Sequence, residues 1–139
     1  MRMLFPAHGK TRLEIDGQII RLYVYGPWNK ELVIETHKNL LSALHALDGS
    51  SWALMVITVE SAICGPDAIE QIRLAAASEV NKSGRVATAW VIDSTIEGGR
   101  IMNSVVNNLY KGINPVNIFE DEKFAKAWLL QELLKITAC

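Results

Sequence analysis

The chain has 139 residues, of which 50% are hydrophobic and 21% are charged, and its formal net charge is −1. A chain of this length forms one domain that buries roughly two thirds of the surface its unfolded form exposes, so it needs no disulfide or metal to fold. The small net charge gives no general attraction for nucleic acid or anionic lipid, and no apolar run approaches the roughly 18 residues of a membrane span. We therefore expect no nucleic-acid partner and no insertion into a membrane.

The cysteines and the N-terminus indicate a compartment. Cys64 and Cys139 are too few for the even, spaced set of a secreted disulfide framework. Polar residues and a proline interrupt the apolar core that a secretory signal would need within the first ten residues. We expect a cytoplasmic protein with an N-terminal segment over residues 1–10 and one domain over residues 11–139.

The first half of the chain alternates between strand and helix patterns. Residues 11–16 and 18–25 have period-two alternation around a glycine, which predicts a hairpin. Apolar residues at helical spacing predict a helix over residues 29–47, capped by its first residue. Residues 52–59 form a nearly continuous apolar run, which is typical of a strand covered on both faces.

The second half repeats the alternation. A helix is predicted from Pro66 to a glycine stop at Gly84, and residues 86–92 form a second buried strand. Capping residues at 93–95 precede a helix that runs to Tyr110. A short strand over residues 115–119 and a terminal helix over residues 121–135 complete the order β-β-α-β-α-β-α-β-α.

This order predicts a single α/β domain with a mostly parallel five-stranded sheet. Strands that are joined through a helix run parallel with right-handed crossovers, which leaves the first strand antiparallel at an edge. If every crossover moves to the next neighbour in the same direction, all helices lie on one face of the sheet. The second face then needs another cover.

Alternation within the strands predicts which side chains form that second face. In residues 18–25 the aliphatic side chains point one way, so Tyr23 and Tyr25 point the other way. In residues 86–92 the small alanines suit helix packing, which sends Thr88 and Trp90 to the opposite side. We expect these four residues to form one aromatic surface. Its cover is the chain's own N-terminal segment (Met3, Leu4 and Phe5) or a helix, a second copy of the chain, or a small apolar ligand.

The terminal helix is expected to pack through one stripe. Phe124, Ala125, Trp128 and Leu129 recur at helical spacing. The sequence therefore predicts that all four face the core.

Residues that could carry chemistry do not assemble into a recognisable set. The chain has no glycine-rich phosphate loop, and His37 and His45 lie eight residues apart, too far for a shared metal. Cys64 lies just before a helix N-terminus, which can lower a thiol pKa, but no nearby histidine supports a catalytic pair. An ordinary loop position is the simpler interpretation. We expect no catalytic set, metal or cofactor.

Four stretches of the chain resemble a known family. They are the N-terminal hairpin, the strand 52–59 followed by Gly65-Pro-Asp-Ala68, the strand Arg85-Val-Ala-Thr-Ala-Trp-Val-Ile-Asp93, and the ending Val116-Asn-Ile-Phe-Glu-Asp-Glu-Lys-Phe-Ala-Lys-Ala-Trp-Leu129. They resemble the SpoIIAA-like proteins, which share a fold with the STAS domains of bacterial anti-anti-sigma factors. The resemblance covers residues 11–133 and implies that fold.

In phosphoswitch members of the STAS group, a serine in an Asp-Ser-Ser/Thr-Gly motif opens the helix after the central strand. The matching stretch here, Ala62-Ile-Cys-Gly-Pro-Asp-Ala68, has no such motif and places Asp67 near the position of that serine. Ser61 lies several residues earlier. The candidate loop at the helix start therefore consists of Ser61, Cys64 and Asp67, without the phosphoswitch serine.

Three functions stay open. The first is a non-enzymatic interaction or regulatory module that forms a homodimer or binds an unidentified protein partner. Its working surface is the candidate loop or the aromatic surface. The second is a binder of a small apolar or lipid-like ligand on the sheet face. The third is an enzyme with a polar cleft at the carboxyl edge of the sheet.

Overall fold

A computed structural model describes residues 9–47 and 49–137. The predicted cover of the sheet by Met3, Leu4 and Phe5 lies outside these residues. The elements in chain order are β1 (Lys10–Asp16), β2 (Ile19–Tyr25), α1 (Lys30–Ala43) with a following 3₁₀ turn (Leu44–Leu47), β3 (Trp52–Val59), α2 (Pro66–Ser83), β4 (Arg85–Val91), α3 (Gly99–Leu109), β5 (Val116–Phe119) and α4 (Glu122–Thr137).

The five strands form one sheet in the order β1-β2-β3-β4-β5. β1 runs antiparallel to β2 at one edge, and the other neighbours are parallel. The predicted α/β class and sheet topology are confirmed. β3 lies at the centre, and its first seven residues are buried, as its continuous apolar sequence predicts.

The helices cover both faces of the sheet. We call the face beneath α1, α2 and α3 the three-helix face, and the face beneath α4 the one-helix face. The expectation that all helices share one face is therefore wrong for α4, and a helix covers the second face. The handedness rule constrains helices that connect two parallel strands. Because α4 follows the last strand and connects to none, the rule leaves it free to cross to the other face.

A side-chain cap marks the start of α1, whereas α3 begins without one. Asn29 Oδ1 accepts the backbone N–H of Leu32 at 3.1 Å, which caps α1 as predicted. Residues 93–95 do not cap α3, which begins at Gly99. Instead, the Asp93 carboxylate accepts the backbone N–H and the hydroxyl of Thr95. Both bonds lower the pKa of Asp93 below its ordinary value, and the bond from the backbone N–H has the larger effect. The carboxylate closes a turn ahead of the helix.

α4 packs on β3 and β4 through a narrower stripe than predicted. Ala125, Leu129 and Leu133 are buried against the sheet, and Trp128 is half-buried beside them. Phe124 is 64% exposed, so its predicted place in the core is wrong. Consecutive helical residues lie about 100° apart around the axis, which turns Phe124 away from the face that Ala125 presents to the sheet.

Within the described residues, no helix combines the length and the apolar run that crossing a membrane requires.

Candidate functional site: a cavity and a buried polar network beneath the three helices

The predicted aromatic surface does not form, because its four residues lie on opposite faces of the sheet. The strand register aligns Tyr23 with Ile57 on the one-helix face, whereas Trp90 is paired with Val56 on the three-helix face. Thr88 and Trp90 are buried there. The alternating alanines of β4 do pack against a helix, as expected, but that helix is α4.

Tyr23 and Tyr25 remain on the one-helix face, in a polar rim beside α4. The Tyr23 hydroxyl donates to Glu122 at 3.0 Å, and the Arg12 guanidinium lies 4.1 Å from the centre of the Tyr23 ring. The Lys10 ammonium lies 4.8 Å from the Tyr25 ring centre. Burial raises the pKa of Tyr23, and the Glu122 carboxylate raises it further with a smaller effect. Cations and a carboxylate therefore cover these rings in part, and the two tyrosines do not form an apolar patch.

The candidate loop lies at the carboxyl edge of the sheet, where neighbouring loops bond to one another. Ser61 is buried, and its hydroxyl donates to the Glu97 carboxylate at 3.1 Å. The Ala62 N–H donates to the Glu97 carbonyl at 2.7 Å, and the Trp28 N–H donates to the Ile63 carbonyl at 3.1 Å. The Ser61 hydroxyl is thus engaged inside the fold rather than presented to solvent.

Cys64, in the loop, and Asp67, in the first turn of α2, do not form a reactive pair. Burial, more than the nearby Asp67 carboxylate, raises the pKa of the Cys64 thiol to about 11. The thiol is therefore protonated at neutral pH, contrary to the activation that a helix N-terminus can give. Asp67 is exposed, and its carboxylate accepts the backbone N–H of Ala68 at 2.9 Å in the first turn of α2.

A buried ion pair, which is not among the sequence-predicted site residues, lies on the three-helix face. Glu79 of α2 and Arg85 of β4 are 2% and 4% exposed, and Glu79 Oε1 accepts from Arg85 Nη1 at 3.0 Å. The second carboxylate oxygen lies 2.6 Å from Nδ1 of the half-buried His37 of α1. Removing charges from water is costly unless partners compensate them, so this group depends on its own hydrogen bonds.

The network continues from Arg85 toward α3. Arg85 Nε and Nη2 donate to the Thr88 hydroxyl at 2.9 and 2.5 Å. Arg85 Nη2 also lies 3.5 Å from the Tyr110 hydroxyl, which accepts from the Trp90 indole N–H at 3.0 Å. Burial, the largest cause, raises the pKa of Tyr110. Residues of α1, α2 and β4 and the residue that follows α3 thus meet in a single hydrogen-bonded cluster.

A cavity of about 70 Å³ lies beside this network, between the sheet and the helices α1 and α2. Most of its wall is aliphatic or aromatic and comes from β2, β3, α1 and α2. The polar part of the wall comes from Thr11, Thr36, His37, Glu79, Arg85 and Tyr110. An apolar space with a few convergent polar groups is the usual form of a small-molecule site.

One feature of the sequence points to this site. Glu79 follows Ile69, Ile72 and Ala76 at helical spacing, so a carboxylate occupies the buried stripe of α2. A charged residue on such a stripe requires a buried partner. No sequence pattern identifies Arg85 as that partner, because the pairing depends on the packing of α2 against the start of β4.

Within residues 9–47 and 49–137, no group of three or more histidine, cysteine, aspartate or glutamate side chains is arranged to hold a metal ion.

Comparison with known proteins supports the fold. No protein-family model matches the chain, and no curated protein matches it. A solved structure does match, that of an uncharacterized protein from the DUF3478 family with a SpoIIAA-like fold, from Shewanella loihica PV-4. The match has a TM-score of 0.60 and 14% sequence identity and covers 93% of this chain and 99% of that chain. The chain therefore has the SpoIIAA-like fold that its sequence resemblance implies.

Proposed function

We propose that the protein is a non-enzymatic interaction module that works as a homodimer joined through the outer side of α4. The observation that carries this proposal is an apolar stripe that faces solvent: Phe124, Ala127, Leu130 and Leu134 are all exposed. Phe124 is 64% exposed and Leu134 is 65% exposed. A helix that is apolar on its outer side as well as its inner side is typical of one covered from both directions.

The geometry of the stripe favours a second copy of the chain as its partner. The stripe spans three turns, about 15 Å at the rise of an α-helix. An antiparallel pairing of two copies places Phe124 of each copy near Leu134 of the other, so one surface serves both copies, as in a two-fold interface. The same pairing removes large apolar side chains from water on both copies at once.

The groups that an enzyme would use at the carboxyl edge support a non-enzymatic role. Ser61 donates to Glu97 inside the fold, and the raised pKa of Cys64 keeps its thiol protonated at neutral pH. Neither group is prepared as a nucleophile.

Sedimentation equilibrium on purified protein tests the proposal. The wild type is expected to sediment with twice the monomer mass, and the double variant Phe124→Ser/Leu130→Ser as a monomer. The control is Ile101→Ser, which replaces a 73% exposed apolar residue of α3 and is expected to leave the dimer intact. A wild type that is monomeric at high micromolar concentration, or a double variant that remains dimeric, would overturn the proposed interface.

A further inference from the structure

The Tyr110 hydroxyl ends the polar network at the cavity wall with a proton that the network does not use. The hydroxyl accepts from Trp90 Nε1 at 3.0 Å and lies 3.5 Å from Arg85 Nη2. Indole and guanidinium N–H groups are donors only, so neither can accept the hydroxyl proton. Tyr110 is 2% exposed, which keeps bulk water from accepting it. Among the hydrogen bonds of the described residues, none uses this proton, and an unused buried donor costs free energy.

The charges around the cavity favour a neutral ligand. Glu79 and Arg85 form a pair of opposite charges in the cavity wall. An anion placed there would face the Glu79 carboxylate, and a cation would face the Arg85 guanidinium. A neutral molecule with an acceptor oxygen meets neither repulsion and carries no charge that must be desolvated.

The volume limits the ligand to a few atoms. A cavity of about 70 Å³ is larger than the share of one liquid water and smaller than an engineered cavity that holds benzene. At about 25 Å³ per non-hydrogen atom, the density of that benzene cavity, the space holds roughly three such atoms. The mostly apolar wall requires that all but one of these atoms be apolar.

We propose that the cavity is a binding site for a small neutral molecule of this size with one acceptor oxygen, such as dimethyl ether or acetaldehyde, whose oxygen accepts the Tyr110 proton. The carbon atoms of the ligand contact the aliphatic wall, including Leu54 and Ile72. The site lies beneath the three helices, on the opposite side of the sheet from the proposed dimer interface, and does not depend on it.

Paired probes test the proposal. Dimethyl ether and propane have nearly the same shape, but only dimethyl ether has an acceptor. NMR titration of the full chain follows both through the Trp90 indole N–H. Both are expected to bind the wild type. In Tyr110→Phe, dimethyl ether is expected to bind about 3- to 10-fold more weakly, the loss of one hydrogen bond, whereas propane affinity is unchanged. Ala75→Leu, which extends a side chain of α2 into the cavity, is expected to abolish binding of both.

Other results would contradict the proposal in part. Absence of propane binding to the wild type would overturn the cavity as a ligand site. Equal dimethyl ether affinity in the wild type and in Tyr110→Phe would overturn the role of the hydroxyl. If Tyr110→Phe does not fold, Ala75→Leu decides, because it leaves the polar network intact. Dimethyl ether binding that persists in Ala75→Leu would place the ligand elsewhere.

Discussion

The two faces of the sheet use the same strands in different ways. β4 presents Ala87 and Ala89 to α4, and the one-helix face is packed closely with small side chains. The same strand presents Thr88 and Trp90 to the three-helix face, where large and polar groups leave a cavity and need hydrogen bonds. Small side chains let a helix approach closely, whereas large ones hold helices apart. One alternating strand therefore produces a closely packed apolar interface on one side and a cavity on the other.

The two faces also differ in where they keep their charges. On the one-helix face the ion pairs lie at the rim, where Arg21 links Asp16 to Glu122 across the edge of α4. On the three-helix face Glu79 and Arg85 are buried. Surface pairs contribute little because water competes with them, whereas a buried charge that loses its partner is strongly destabilising.

The largest expected effect comes from breaking the buried pair. Glu79→Leu leaves the Arg85 guanidinium without its carboxylate and is expected to lower the free energy of unfolding by about 3–5 kcal/mol. Urea denaturation measures this loss. The matched control is Glu70→Leu, on the same helix, which breaks an exposed pair with Arg73 and is expected to cost at most about 1 kcal/mol. Equal losses in the two variants would contradict the distinction between buried and exposed charge.

An intermediate effect comes from making the same substitution on each face. Ala89→Leu forces three extra carbon atoms into the contact between β4 and α4 and is expected to cost about 1–3 kcal/mol. Ala75→Leu fills the cavity on the other face and is expected to leave stability unchanged or to raise it by up to about 2 kcal/mol. Thermal or urea unfolding of both variants measures the difference. The comparison fails if Ala75→Leu destabilises as much as Ala89→Leu.

The sequence predicts the elements well because their signals are local. The alternation of β2, the continuous apolar run of β3 and the Asn29 cap each depend on residues close together in the chain. Which helix packs against a given side of a strand depends on elements that come later in the chain. The small side chains of β4 correctly indicate helix packing, but nothing in the strand identifies that helix as α4. The predicted face for Trp90 is therefore wrong.

The site is less predictable than the fold for the same reason. Glu79 can be recognised as a charge on a buried helical stripe, but its partners His37 and Arg85 and the Tyr110 end of the network come together only when three helices pack on one sheet. The residues that the sequence does single out, Ser61 and Cys64, lie where parallel sheets usually hold function. There the loops bond to one another instead, as the Ser61 to Glu97 contact illustrates.

The smallest expected effect concerns the charged rim of the one-helix face. Hydrogen bonds from Lys126 and then Arg21 hold the pKa of Asp16 below its ordinary value of 3.8. Because the folded pKa is the lower one, the contribution of Asp16 is complete above the unfolded value and is lost as the pH falls through the folded value. Asp16 is partly exposed, so this contribution is below about 1 kcal/mol.

Asp16→Asn should therefore lower the free energy of unfolding slightly at neutral pH and should flatten its decline at acid pH. Urea unfolding of both proteins between pH 7 and pH 3 measures this, because the two stability curves should converge as the pH falls below the unfolded value. Raising the salt concentration at neutral pH should narrow the gap as well, since screening weakens exposed pairs. Curves that stay parallel down to the lowest pH would show that the rim carboxylate of Asp16 adds nothing to stability.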